Sequence, residues 1–275
     1  MPLRVFCCLG TSFCGCQQMR PSALISAVDP WLLIDNSNTR TKFALGDAHG
    51  LHAWRAWLPT AEVSAEALGQ LLAGVRFHGA LFASVVPAKA AVLRAFLDPR
   101  GPVHALSAAS QLGIGLDYPV PEQIGADRLA NSIAVTARHR TPAIVIDFGT
   151  AVTFDVVSAA PAYCGGVIAP GLGAMSDYLT RRTALLPTVD LTDPAHAIGK
   201  STTEAMLAGA VFGYRGLVRE ILARLREEIA GTPVVVATGG DAALIARGLP
   251  EIDHLDPDLT LDGLRLAAIL NLVRD

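Results

Sequence analysis

Residues 34–45 read IDNSNTRTKFAL, and residues 146–157 read IDFGTAVTFDVV. Each stretch ends an apolar run, WLLID from Trp31 or AIVID from Ala143, with an aspartate. Small and polar turn residues follow, and then polar and apolar side chains alternate. That pattern predicts strand, tight turn, strand. Laid side by side, Asp35 matches Asp147, Asn38 matches Thr150 and Thr41 matches Thr153. Each half later carries another apolar run followed by small residues, ALFASVV from Ala80 and PVVVATGG from Pro233. The repetition predicts an α/β protein of two similar domains facing each other, residues 29–140 and 141–275. The alternative is an accidental likeness of one short motif.

Working outward, helices are expected at 62–74, at Ala88–Leu97 before Asp98-Pro99, at 121–139 with Asp127 in the first turn, and at Thr202–Ile229. LDGLRLAAILNLV from Leu261 has helical apolar spacing and closes the chain. A chain of 275 residues with 51% hydrophobic and 17% charged residues can bury large cores. A formal net charge of -3 without a long basic run excludes an electrostatic case for nucleic-acid binding. The longest uncharged stretch, Val156–Ser176, holds two prolines and four glycines, so no membrane span is expected. Residues 1–28 carry Cys7, Cys8, Cys14 and Cys16. A metal site lacks a CxxC pair or nearby histidine, and a secretory signal lacks a cleavage site. These residues are expected to be a disordered extension, with Met19 as an alternative start, and the compartment to be a reducing cytoplasm.

Two motifs are decoys. GKST at Gly199–Thr202 ends like a phosphate-binding P-loop, but Pro194 occupies the position of the first required glycine. Gly113–Gly115 fails as a dinucleotide fingerprint because Tyr118 stands at its sixth position. The two acid-tipped turns are better candidates. Backbone amides and hydroxyls in such turns suit phosphate oxygens, and the aspartates would meet phosphate through a cation. Alone, either aspartate could simply cap its turn. TGGD at Thr238–Asp241 permits close approach of a flat or anionic group. GADR at Gly125–Arg128 sets an acid and a base at a helix start, where a helix-terminal charge is the plainer reading.

In order along the chain, DNSNTRTK (35–42), YPVPEQIGADR (118–128), DFGTAVTFD (147–155), GGVIAPGL (165–172), IGKSTTEAM (198–206) and TGGD (238–241) resemble the motifs of type III pantothenate kinases. That family belongs to the actin/sugar-kinase/Hsp70-like ATPase superfamily, and the likeness covers roughly residues 31–275. It implies two actin-like (ribonuclease-H-like) domains with a nucleotide cleft between them, and ATP-dependent phosphorylation of pantothenate to 4'-phosphopantothenate, the first step of coenzyme A synthesis. It implies that Asp35, Asn36, Ser37, Asn38, Thr39, Arg40, Thr41 and Lys42 hold the ATP phosphates, with Asp35 near Mg2+, and that Thr150 touches ATP. Asp127 is implied as the base that takes the hydroxyl proton. Tyr118, Gly125, Ala126, Asp127 and Arg128 are implied to contact pantothenate, Asp147 to bind a monovalent cation (K+ or NH4+), and Thr202 to reach pantothenate from the partner subunit of a homodimer. Ser37 replaces the family's usual glycine. At a positive φ a serine costs on the order of 1 kcal/mol; on extended backbone it adds a donor. A kinase of another hydroxylated metabolite, or an ATP-binding regulatory homologue impaired in catalysis, are the other readings.

Overall fold

The structure is a computed structural model that describes residues 30–273. The expected extension at 1–28, with its four cysteines, lies outside the described residues. The first half runs through β1 (Trp31–Asn36), β2 (Arg40–Gly46), β3 (Leu51–Pro59), α1 (Ala65–Leu71), β4 (Gly79–Ser84), α2 (Pro87–Leu97), β5 (Val103–Ala105), β6 (Gly115–Leu116) and α3 (Ala126–Arg138). The second runs through β7 (Ala143–Phe148), β8 (Ala151–Val157), β9 (Ala162–Pro170), α4 (Leu172–Arg182), α5 (Thr202–Glu228), β10 (Val234–Thr238), α6 (Ala242–Ala246), β11 (His254–Leu255) and α7 (Leu259–Leu272).

The strands form two sheets. The first has the order β3-β2-β1-β4-β5 and the second β11-β10-β7-β8-β9-β6. Read from β9, the second sheet repeats the first: an antiparallel three-strand meander whose first strand pairs in parallel with a later one. The repeat foreseen from two short segments therefore extends to whole sheets. β6 is an addition at the edge of the second sheet, contributed by the first half of the chain.

Strand side chains alternate between faces, and this parity sets up the site. On the outer face of the first sheet, Leu32, Ile34 and Phe43 pack with Leu68, Leu93 and Phe96 of α1 and α2. On its inner face, Leu33 and Ala44 pack with Leu129 and Ile133 of α3 and Leu264 and Ala268 of α7. The second sheet does the same: Ile144 and Ile146 face Val211, Tyr214 and Leu222 of α5, while Val145 and Val157 face Ala134 and Val135 of α3. The final helix of each half thus lies between the sheets. α3 and α7 cross closely: a Cβ on Gly263 would stand 1.9 Å from the Ala130 carbonyl oxygen. By parity Asp35 falls on the inner face with Leu33, and Asp147 falls on the inner face with Val145, each near the carboxyl end of its strand.

Helix boundaries follow local chemistry. Ser64 accepts from the Ala67 amide at the start of α1, and Ser201 accepts from the Glu204 amide at the start of α5. Glu204 reaches back to the Lys200 amide at 2.6 Å, a variant of the capping box. GKST is therefore a helix cap. α3 begins at Ala126 rather than 121, because residues 121–123 form a single 3-10 turn begun by Pro121.

Candidate active site

The two acid-tipped hairpins meet. Thr39 Oγ1 in the first turn lies 2.7 Å from Thr150 Oγ1 in the second. Asp35, only 3% exposed, stands at the end of β1 with Lys42 Nζ 3.5 Å away on the adjacent strand. Ser37 donates its hydroxyl to Asp35 Oδ1 at 2.8 Å. Among the described residues no residue other than glycine has a positive φ, so serine is unstrained in this turn and contributes a donor. Asn36 is buried, donating to Thr41 Oγ1 at 2.7 Å and accepting from Ser84 Oγ at 2.6 Å, which stiffens the turn from behind. Asn38, Thr39 and Arg40 are exposed on its outer rim.

Asp127 lies in the first turn of α3, and its Oδ1 accepts from the Arg128 amide at 2.9 Å. A side chain at Gly125 would collide with that carboxylate, since a Cβ there would stand 2.6 Å from Asp127 Oδ1. Burial pushes the Asp127 carboxyl above its ordinary value and the negative charge of Asp35 adds to the rise, while the Arg128 amide opposes it. Asp147 is pushed up to about 6, first by burial and next by Asp35, with Asp127 contributing and Lys42 opposing. Three carboxylates from three elements therefore share one electrostatic environment. Asn131 of α3 donates to Asp147 Oδ2 at 3.4 Å and accepts from Thr260 Oγ1 of α7 at 2.7 Å. Gly239, with φ of +95°, brings the Thr238–Asp241 turn against Asp147: a Cβ there would lie 2.6 Å from Asp147 Oδ1.

Arg128 turns away from Asp127. Its Nε donates to Asp155 Oδ1 at 2.6 Å, its Nη2 reaches the Phe154 carbonyl at 3.3 Å, and its guanidinium lies 5.6 Å from the Tyr163 ring centre. Asp155 is fully buried; burial pushes its carboxyl up to about 7, a rise that the Arg128 guanidinium only partly offsets. Tyr118 stacks obliquely on Tyr163, ring centres 5.8 Å apart, and covers Gly165, whose φ of +112° suits glycine. Tyr118, Gly125, Ala126, Asp127 and Arg128 thus line one wall of the same region. Thr202 is exposed at the start of α5 and has no side-chain hydrogen bond among the described residues.

Sequence reading missed Asp155, Asn131 and Thr260. Asp155 closes the DFGTAVTFD motif but carries no assigned role there, reading as one more polar position in an alternating strand, and Asn131 and Thr260 read only as polar interruptions in helices.

Carboxylates gathered around a partly buried pocket call for positive charge. Lys42 supplies one charge near Asp35. Among the described residues no cluster of three or more His, Cys, Asp or Glu forms a ready metal cage. A cation here would take its other ligands from phosphate oxygens, water or backbone carbonyls, which is how Mg2+ accompanies a nucleotide. The residues present fit such a cation. They can bind a polyphosphate between two turns and take a proton at Asp127.

A family model described as type III pantothenate kinase matches residues 31–224. A type III pantothenate kinase of Akkermansia muciniphila is 59% identical over 242 residues, 88% of this chain and 99% of its own length. One from Methylacidiphilum infernorum is 41% identical over 86% of both chains. Among solved structures, a Sinorhizobium meliloti protein provisionally assigned as a 2-dehydro-3-deoxygalactonokinase shares the fold, with a TM-score of 0.57 at 16% identity over 89% of this chain and 98% of its own. With a family model matched over more than half its length and relatives this similar, the chain belongs to the type III pantothenate kinase family.

Proposed function

We propose that the chain transfers the γ-phosphoryl group of ATP to the hydroxyl of pantothenate, giving 4'-phosphopantothenate and ADP, the entry step of coenzyme A synthesis. The observation that carries this is the placement of Asp127: a carboxylate of raised proton affinity at a helix start, within electrostatic reach of the two aspartates on the meeting hairpins. The hydroxyl oxygen attacks the γ-phosphorus, the bond to the β-phosphate oxygen breaks, and its electrons leave with ADP. The hydroxyl proton goes to Asp127. In a loose phosphoryl-transfer transition state the proton leaves late, so a positioned carboxylate is an adequate base.

In this reading Asp35 to Lys42 and Thr150 hold the triphosphate, with Asp35 facing Mg2+ and Asp147 facing a monovalent cation, K+ or NH4+. Bound cations would balance charge on the γ-phosphoryl group. The rise in the Asp147 carboxyl supports a cation there, because a carboxylate with no positive neighbour at contact distance resists ionisation. Tyr118, Gly125, Ala126 and Arg128 receive pantothenate, and Thr202 reaches the pocket of a partner copy in a homodimer. Supporting the dimer, Ile168, Tyr178, Leu185 and Ile198 are 63%, 62%, 91% and 75% exposed on the same half of the chain. The division at 140/141 leaves the cleft between the two halves. Among the described residues no helix is long and apolar enough to cross a membrane, and use of ATP makes the cytoplasm the working compartment.

A coupled ADP-release assay over a panel of hydroxylated acceptors, with Mg2+ and K+ present, tests the reading. Pantothenate-dependent release well above that of the other acceptors is expected. Release with a sugar instead would reassign the acceptor, and nucleotide binding without release on any acceptor would leave an ATP-binding protein without this activity.

A further inference from the structure

Beside the phosphate-facing turn lies a cavity of about 250 Å³ between the β2–β3 ribbon and the start of α7. Arg40, Lys42, Arg55 and Trp57 line it from the first half, Asp258 and Leu261 from the second. Sheet register places its contents. Asp35 pairs with Lys42, and Lys42 pairs with Trp57. The three side chains therefore stand in one row on the inner face, with Trp57 two strand spacings, about 10 Å, from Asp35. A nucleotide whose phosphates sit at Asp35 is long enough for its base to reach that position.

The chemistry of the cavity agrees. Trp57 is 56% exposed, a large apolar ring open to the cleft, while most aromatic rings among the described residues are packed away. The Arg40 guanidinium lies 5.0 Å from its ring centre. Across the cleft, Arg40 lowers the proton affinity of Asp241, which otherwise rises by burial, so the Thr238–Asp241 turn lies opposite. At Gly240 of that turn a Cβ would meet nothing within 4 Å, which leaves open space there. Arg55 and Asp258 close the lower edge as an ion pair at 3.4 Å joining the two halves.

We propose that Trp57, flanked by Arg40, is the stacking platform for the purine base of the phosphoryl donor. This rests on the reading of the Asp35 turn as the phosphate site. Stacking tolerates any flat base and favours the larger purines, so it predicts selection of purine over pyrimidine triphosphates with little choice among purines.

The test is steady-state kinetics of the full-length enzyme and of Trp57→Ala and Trp57→Phe, varying ATP and CTP. Loss of a stacking contact is expected to raise the KM for ATP by about tenfold or more, with a much smaller change in kcat and none in the KM for pantothenate. Trp57→Phe should recover most of the affinity. CTP should be poorer than ATP in the parent enzyme, and the two should converge in Trp57→Ala. Quenching of tryptophan fluorescence by ATP, but not by inorganic tripolyphosphate, should disappear in Trp57→Phe. A KM for ATP within twofold of the parent in Trp57→Ala, or Trp57→Phe as impaired as Trp57→Ala, would overturn the proposal. Tripolyphosphate competing with ATP in all three proteins would leave the phosphate site standing in either case; failure to compete in the parent would remove that site instead.

Discussion

Asp155 and Arg128 form a tightly constrained pair at the residue scale. With Arg128 Nε held at 2.6 Å by a fully buried carboxylate, its guanidinium is fixed in place; on the proposed function that place is the wall receiving pantothenate. Asp155→Asn keeps the shape and removes the charge, so the KM for pantothenate should rise by about tenfold while the KM for ATP stays near its parent value, the size expected for a lost charge-assisted hydrogen bond. Equal changes in both constants would mean a general loss of structure. Asp147 gives a pH signature. Its carboxyl lies near 6 in the folded chain against 3.8 ordinarily. Between those values the folded chain holds a proton that the unfolded chain releases, so this group's contribution to stability is present at low pH and lost as pH rises through about 6. Thermal melts should show K+ stabilising the protein near pH 8 and much less near pH 5, with the K+ effect absent in Asp147→Asn. The aspartates at 35 and 147 are legible in the sequence because each ends an apolar run before a turn. The pairing of Asp155 with Arg128 is not, since it depends on how α3 packs against β8, which leaves no local pattern.

Elements carry the geometry through their crossings. The closest contact between α3 and α7 is made at Gly263, where a side chain would meet the Ala130 backbone. Thr260, one turn earlier on α7, passes a hydrogen bond to Asn131, which in turn touches Asp147. Gly263→Ala should therefore destabilise the fold by about 3 kcal/mol or more, as overpacking of a tight crossing does, measured by urea denaturation; a change below about 0.5 kcal/mol, the range of ordinary surface substitutions, would show that the helices do not meet this closely. The sequence announces α7 by its apolar spacing, α2 by the Asp98-Pro99 stop at its end, and α5 as a long helix from Thr202. It does not announce β3, because that strand is an edge with no fully buried position, and its alternation is blurred by Trp54, Arg55 and Trp57. Nor does it announce α4, whose Gly173, preceded by Pro170 and Gly171, reads as loop.

At the scale of the whole molecule, two copies of one sheet topology face each other with their final helices exchanged into the space between. That arrangement carries two strand-borne aspartates and one helix-borne aspartate into a single region. It also leaves Thr202 and the side chains of Tyr178, Leu185 and Ile198 exposed on the second half. If a partner copy covers them, sedimentation should give twice the chain mass, and Tyr178→Glu should yield a monomer with activity reduced by at least about tenfold. A fully active monomer would remove the partner from the site. On the proposed function, Asp127 takes the acceptor's proton in a cleft that binds the donor independently of it. The direct measurement is single-turnover phosphorylation of pantothenate by Asp127→Asn beside calorimetric titration of the same protein with ATP. ATP binding close to that of the parent is expected, with phosphorylation slower by about a hundredfold or more; phosphorylation at the parent's rate would show that Asp127 is not the base.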